Sequence, residues 1–139
     1  MGTFILNFVE IGAKVIVIGC LAMVLHELGH IIAAYILQVK IRSIGVSRKG
    51  LYVIRDYGTP KQNLVISFCG PLLNLYLALA SVNVHPLFFL ANLCLFVFNI
   101  IPIKGSDGER IIKCIGEIRN EKLNAGPTDS GVALNEEIP

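Results

Sequence analysis

His26, Glu27 and His30 sit in the middle of an apolar run, VIVIGCLAMVLHELGHIIAAYILQVK over residues 15–40. Imidazoles and a carboxylate in hydrocarbon surroundings are costly unless something pairs them. In a helix, positions i and i+4 share a face, so His26 and His30 aim at one point with Glu27 beside them. This is the HExxH arrangement, in which two histidines bind zinc and the glutamate is a general base. Zinc held this way lowers the pKa of its water toward about 7 and polarises a carbonyl, which is hydrolytic chemistry. The competing account is a chance match, or two histidines hydrogen-bonded inside a helix bundle. It would have to explain three costly groups at motif spacing. Gly19, Ala22, Gly29 and Ala33 surround them, small residues that permit close helix packing and leave room for a metal and a peptide.

Elements that could position such groups are written in the composition. The chain has 139 residues, which argues for one domain, and only 16% of them are charged. Soluble domains carry about 25%, and here 54% of residues are hydrophobic and mean hydropathy is +0.68. A membrane protein is expected. The formal net charge of +2, with no basic patch interleaved with aromatics, gives no reason to expect a nucleic-acid partner. Cys20, Cys69, Cys94 and Cys114 are scattered without a CxxC pair and read as small buried hydrophobes, not disulfides. The N-terminus, MGTFILNFVEIGAK, has no basic leader or small-residue cleavage site and does not read as a cleaved signal peptide.

Three stretches are apolar over roughly the 20 residues that cross a bilayer: 15–38, 63–82 and 86–103. Asn83-Val84-His85 is the tight turn between the last two. Between the first two, residues 41–55 carry β-rich pieces about Ser47-Arg48-Lys49-Gly50, a hairpin signal. That connection holds Lys40, Arg42, Arg48, Lys49, Arg55 and Lys61 against one acid, Asp56, so it should face the cytoplasm. After the third stretch, Ser106-Asp107-Gly108-Glu109 has the form of a capping box. Ile111, Ile115 and Ile118 follow at helical spacing among charged residues, as in a short amphipathic helix. The expected fold is an all-α membrane protein of about three transmembrane helices, with a short cytoplasmic β-hairpin and a C-terminal amphipathic helix. Residues 1–122 would form its core and 123–139 a flexible tail.

Zinc needs a third protein ligand and keeps an open fourth position for water. The longer pattern HExxHxxGxxH fails because Ala33 and Ile36 occupy its Gly and His positions, which removes the metzincin reading. His85 is a poor choice, since the topology puts it on the far side of the membrane. Asp107 is better placed, following the third stretch on the side where His30 lies. Its alternative role is a helix N-terminal carboxylate favoured by the dipole.

Three motifs taken in order resemble one family. They are His26-Glu27-Leu28-Gly29-His30; Gly70-Pro71-Leu72-Leu73-Asn74, of the form GPxxN; and Asn99-Ile100-Ile101-Pro102 through Asp107-Gly108, of the form NxxPxxxxDG. Together, over residues 15–110, they resemble the site-2 proteases, the intramembrane zinc metalloproteases of peptidase class M50. The likeness is to the short sporulation-type branch without a PDZ domain. The chain departs from the pattern at Gly105-Ser106 and Glu109, where the family often has Pro-Leu before Asp-Gly and Gly after it. The resemblance implies Zn2+ bound by His26, His30 and Asp107, with Glu27 as catalytic base. It also implies that Asn74 lies at the active site, bonding the substrate; a buried amide bridging two helices is the other account of Asn74. The implied activity is hydrolysis of a peptide bond in or near a transmembrane segment of a membrane-tethered regulatory protein. The expected location is multi-pass in a prokaryotic cell membrane, with the site toward the cytoplasm. The partners would be a transmembrane protein substrate and the lipid bilayer.

Two rivals belong to other classes. A non-catalytic membrane adaptor, an inactive homologue with a structural zinc site, would have no use for a base at Glu27. A metal transporter would need more than three spans and more intramembrane carboxylates than Glu27.

Overall fold

The structure is a computed structural model that describes residues 2–47 and 50–125, except the side chains of 2–4, 47, 50 and 51. The elements are α1 (Gly2–Ile36), β1 (Ile41–Ser47), β2 (Gly50–Arg55), α2 (Pro60–Ser81), α3 (Pro86–Ile100) and α4 (Asp107–Asn124). The fold is mostly helical with one two-stranded antiparallel hairpin. The turn expected at Arg48-Lys49 lies outside the described residues, as does most of the expected tail, 126–139. The helix before that tail continues through Asn124 and so takes in the tail's first two residues.

α1 is apolar on every side and runs for 35 residues, about 52 Å at 1.5 Å each. Ile5, Leu6, Phe8, Val9, Ile11, Val15, Ile16 and Val17 in its first half are all exposed. A helix that is apolar all round calls for an apolar solvent. Its second half is different, for Ala22, His26, His30, Ala33 and Ala34 are buried. The helix ends in a Schellman motif: Val39 N donates to Ala34 O at 2.8 Å and Gln38 N to Tyr35 O at 3.1 Å. Gln38 takes the left-handed conformation the motif requires, with φ 57°. Val39 then packs with Ala33, Ala34 and Ile66, and the chain turns into the hairpin.

β1 and β2 pair from Ser47↔Gly50 to Ile41↔Arg55, with a bulge between Ile41 and Ser43. The return into α2 is set by a capping box. Thr59 Oγ1 accepts from Gln62 N at 3.3 Å and Gln62 Oε1 from Thr59 N at 2.8 Å, with Pro60 in the first turn. α2 is long and apolar enough to cross a membrane, as is α1. α3 has 15 residues, about 22 Å, and falls short of the roughly 30 Å hydrocarbon core. It begins at Pro86 under a cap from His85, whose Nδ1 accepts from Phe88 N at 3.2 Å. The third apolar stretch was expected to run to Ile103. The helix stops at Ile100 because proline disfavours a helical residue before it, and Ile101, before Pro102, is extended at φ −69°, ψ 132°.

α4 is capped by Ser106, whose Oγ accepts from Glu109 N at 3.2 Å. The expected capping box closes only on that arm. Ser106 N is already given to Ile103 O at 2.9 Å, so Glu109 turns to Gly105 N at 2.6 Å. The inner face of α4 also differs from the expected Ile111/Ile115/Ile118 line. Asp107, Ile111 and Cys114 are buried, while Ile112 and Ile115 are exposed. The buried carboxylate, not the isoleucine spacing, decides which way the helix faces. All four cysteines are free, but Cys20 and Cys94 are exposed and not buried as their apolar runs suggested.

α1 and α2 touch through backbone. A Cβ built on Gly29 would stand 2.7 Å from the carbonyl oxygen of Cys69 and 3.1 Å from Gly70 Cα. Gly29→Leu should therefore separate the two helices, with a stability loss of about 1–3 kcal/mol typical of overpacking. The expected outcome is a lower detergent melting midpoint for this variant, and no such loss for Gly12→Ala, where an added Cβ meets nothing within 4 Å.

Candidate metal centre

The site forms where α1, α2 and the start of α4 meet. α1 supplies His26 and His30 one turn apart on the face that meets α2. Gly70 of α2 makes the room: a Cβ there would collide with His30 Nε2 and lie 3.0 Å from His26 Cε1. Asp107 arrives on the first turn of α4. Gly108 behind it permits the close approach, since a Cβ there would run into the carbonyl of Ile100 at the end of α3. Two of the three sequence motifs thus contain a glycine whose missing side chain lets ligands converge.

The three ligand atoms form a nearly equilateral triangle. His26 Nε2 and His30 Nε2 lie 3.0 and 3.1 Å from Asp107 Oδ2, and 3.2 Å from each other. Zinc bonds nitrogen and oxygen at about 2.0–2.1 Å, and tetrahedral angles then put its ligand atoms about 3.3 Å apart. The triangle fits that ion. The chemistry of the donors fits it as well. His26 Nδ1 donates to Asn74 Oδ1 at 2.5 Å, and His30 Nδ1 donates to Ile66 O at 2.7 Å. Each imidazole therefore carries its proton on Nδ1 and turns a lone pair on Nε2 toward the carboxylate. Three lone pairs at this spacing repel unless a proton or a metal ion lies among them, and a metal ion satisfies all three at once. His26, His30 and Asp107, all buried, form a possible metal site, and theirs is the one such cluster among the described residues.

Asn74 is fully buried and its amide is already used. Its Oδ1 holds His26, while Nδ2 donates to Ala22 O at 3.3 Å and to Asn92 Oδ1 at 2.8 Å. Asn92, also fully buried, donates in turn to Phe88 O at 2.9 Å. The direction of each bond follows from the last. Phe88 offers only a carbonyl, so Asn92 points Nδ2 at it and Oδ1 at Asn74. Asn74 must then give His26 its oxygen. The sequence-expected Asn74 is at the site, one bond from a ligand, and a substrate would meet it only by displacing one of these partners.

Glu27 joins His26, His30 and Asp107 on the wall of one cavity of about 180 Å³. β2 supplies another part of the wall through Tyr52, Val53 and Arg55, and Arg110 of α4 faces it as well. Tyr57, just past β2, donates to both carboxylate oxygens of Glu117 at 2.9 and 2.8 Å. That bond ties the hairpin's exit to α4 and raises the phenol's pKa. Asn99 also borders the cavity, but its amide donates to Leu95 O at 2.9 Å inside α3. His85 caps α3 and takes no part in the cluster. Asn92, Tyr52, Arg55 and Arg110 were not singled out from sequence. Only Asn92 had a signal there, as an amide within an apolar stretch.

Two proteins of Methanocaldococcus jannaschii are similar to this chain. MJ0611, provisionally named a zinc metalloprotease, is 30% identical over 96 residues, covering 60% of this chain and 50% of its own length. The zinc metalloprotease MJ0392 is 29% identical over 143 aligned positions, covering 90% of this chain and 42% of its own length. The chain thus spans about half the length of these relatives. No protein-family model matches it. The homology is weak but agrees with the ligand geometry, and Zn2+ is the metal that both support.

If Asn92 fixes the polarity of the Asn74–His26 bond, replacing it should weaken metal binding from a distance. Asn92→Leu should lower zinc affinity about tenfold, at the lower end of the effect of outer-shell changes. Gly70→Ala should remove binding outright while leaving the helical circular dichroism unchanged. His85→Ala should leave zinc affinity as it is. Competition against a chromogenic chelator measures all three.

Proposed function

We propose that the chain is the core of an intramembrane zinc metalloprotease of the site-2 type, cutting a membrane-tethered protein in or near its transmembrane segment. The observation that carries this reading is the placement of Glu27 on the same cavity wall as the three-ligand triangle. A purely structural site would be closed by four ligands and would have no use for a carboxylate base. The names of the two archaeal relatives point to the same class of chemistry.

When bound, zinc supplies Lewis acidity and a water acidified toward a pKa of about 7. The rest falls to the chain. His26 and His30 present their Nε2 lone pairs, held in that tautomer by Asn74 and by the carbonyl of Ile66. Glu27 takes a proton from the attacking water as it adds to the scissile carbonyl, then hands it to the departing amine. The cavity admits water and keeps the reacting groups clear of hydrocarbon.

A substrate segment would have to unwind before its carbonyl could be attacked, and its freed backbone groups need new partners where water is scarce. β2 lies along the cavity through Tyr52 and Val53 and, among the described residues, is paired only with β1. An extended substrate laid against its open edge would regain hydrogen bonds by β-augmentation. The basic residues flanking the hairpin favour, by the positive-inside rule, a mouth on the cytoplasmic side of a prokaryotic membrane.

In detergent, with a single-span peptide as substrate, Glu27→Gln should retain zinc and lose cleavage by a factor of about 10²–10⁴. His26→Ala and Asp107→Ala should lose zinc and activity together. A Glu27→Gln variant that still cleaves would sink the mechanism. Val53→Pro should slow cleavage with zinc content normal, because proline withdraws a strand donor. A cysteine placed at Arg42 in a cysteine-free background should be labelled only from the cytoplasmic side.

A further inference from the structure

The basic residues of the hairpin and α4 are not equivalent. Arg42 is ion-paired with Asp56, and Lys113 with Glu109 at 3.0 Å. Arg55 has no such partner among the described residues, and Arg110 has only a long one, to Asp107. Arg55 Nη1 is satisfied by a neutral amide, donating to Asn63 Oδ1 at 2.5 Å. Arg110 Nη1 is 3.5 Å from Asp107 Oδ1, well beyond the roughly 2.7–2.9 Å of a strong charge-assisted bond. That carboxylate is already committed through Oδ2 to both histidines.

Each guanidinium has five N–H donors, and most of those on Arg55 and Arg110 are unspent. The two come from different elements, β2 and α4, and border the same cavity as the ligand triangle. They are close enough to repel: burial, and then the charge of Arg110, push the pKa of Arg55 down. With Zn2+ in place, the wall would carry the ion and two arginines against the carboxylates of Asp107 and Glu27. Cations held together this way favour an anion between them, and planar guanidinium forks match a carboxylate.

We propose that Arg55 and Arg110 form a subsite for an acidic side chain, Asp or Glu, of the peptide being cut. The inference rests on the peptidase reading and deepens it to a substrate class. Its position follows from the distances. Arg110 Nη1 lies 3.5 Å from Asp107 Oδ1, and adding the width of the carboxylate and a metal bond puts it within about 8 Å of the metal. An extended chain advances about 3.3 Å per residue. The acidic residue therefore falls within about two residues of the scissile bond.

The test uses the full chain with zinc bound and a single-span peptide carrying Glu, Gln or Lys at each position around the cut. At one position Glu should be preferred over Gln by about tenfold or more in kcat/KM, as charged hydrogen bonds allow. Arg55→Gln should erase that preference with zinc content unchanged, and Arg55→Glu should turn it toward Lys. Binding of the uncleaved Glu and Gln peptides to zinc-loaded Glu27→Gln protein gives a readout independent of turnover. If no peptide is cut but the Glu peptide binds more tightly in an Arg55-dependent way, the subsite stands and the peptidase reading fails. If peptides are cut and bound equally with Glu or Gln at every position, the subsite is wrong. The two arginines then belong to lipid phosphates.

Discussion

Two imidazole nitrogens and a carboxylate oxygen, all of them acceptors, face one another at 3.0–3.2 Å in the buried middle of the molecule. Mutual repulsion at that distance is tolerable only with positive charge among them, and the surrounding structure can be read as the means of enforcing it. The Nδ1 atoms are each given an acceptor, so neither histidine can relieve the strain by moving its proton inward. Asp107 is brought to the triangle by a helix that begins at that residue. The cost of assembling the donors is borne by folding, and a cation arriving later finds them oriented.

Close approach of backbones is the second requirement, and it explains residues that touch no metal. Gly29 lies against the carbonyl of Cys69, Gly70 against the two imidazoles, and Gly108 against Ile100. Each replaces a side chain with proximity. Pro71 follows Gly70 directly and withholds an N–H from the helix, leaving the Ser67 carbonyl without its usual donor. Ser67 Oγ is also the buried side-chain atom without a hydrogen bond among the described residues. The middle of α2 is therefore shaped for its neighbours at some expense to its own hydrogen bonding.

Much of this was legible in the sequence, and the limits have physical causes. His26, Glu27 and His30 stood out because ionisable groups at helical spacing in an apolar run cost too much to be incidental. The hairpin over 41–55 showed through β-rich residues about a turn. Asp107 could be placed only through topology and resemblance, because its partners lie 81 and 77 residues away. The end of α3 was overestimated because hydropathy continues through Ile101 and Ile103, whereas Pro102 acts on backbone geometry. The inner face of α4 was misplaced because isoleucine spacing carried no word of the buried carboxylate. Asn92 could be noticed but not assigned, since only the fold shows that it meets Asn74. Arg55 read as one more basic residue of the connection, and only the fold shows that it and Arg110 border one cavity.

The length of α1 has a mechanical consequence. Residues 5–17 reach about 20 Å beyond the packed half of the helix, while the other half is clamped at Gly29. In a bilayer of about 30 Å, a helix of 35 residues must tilt or protrude to relieve hydrophobic mismatch. There the free half would act as a lever whose fulcrum lies beside the residues that could hold a metal. A thicker or thinner bilayer would change the tilt and so the torque on that contact.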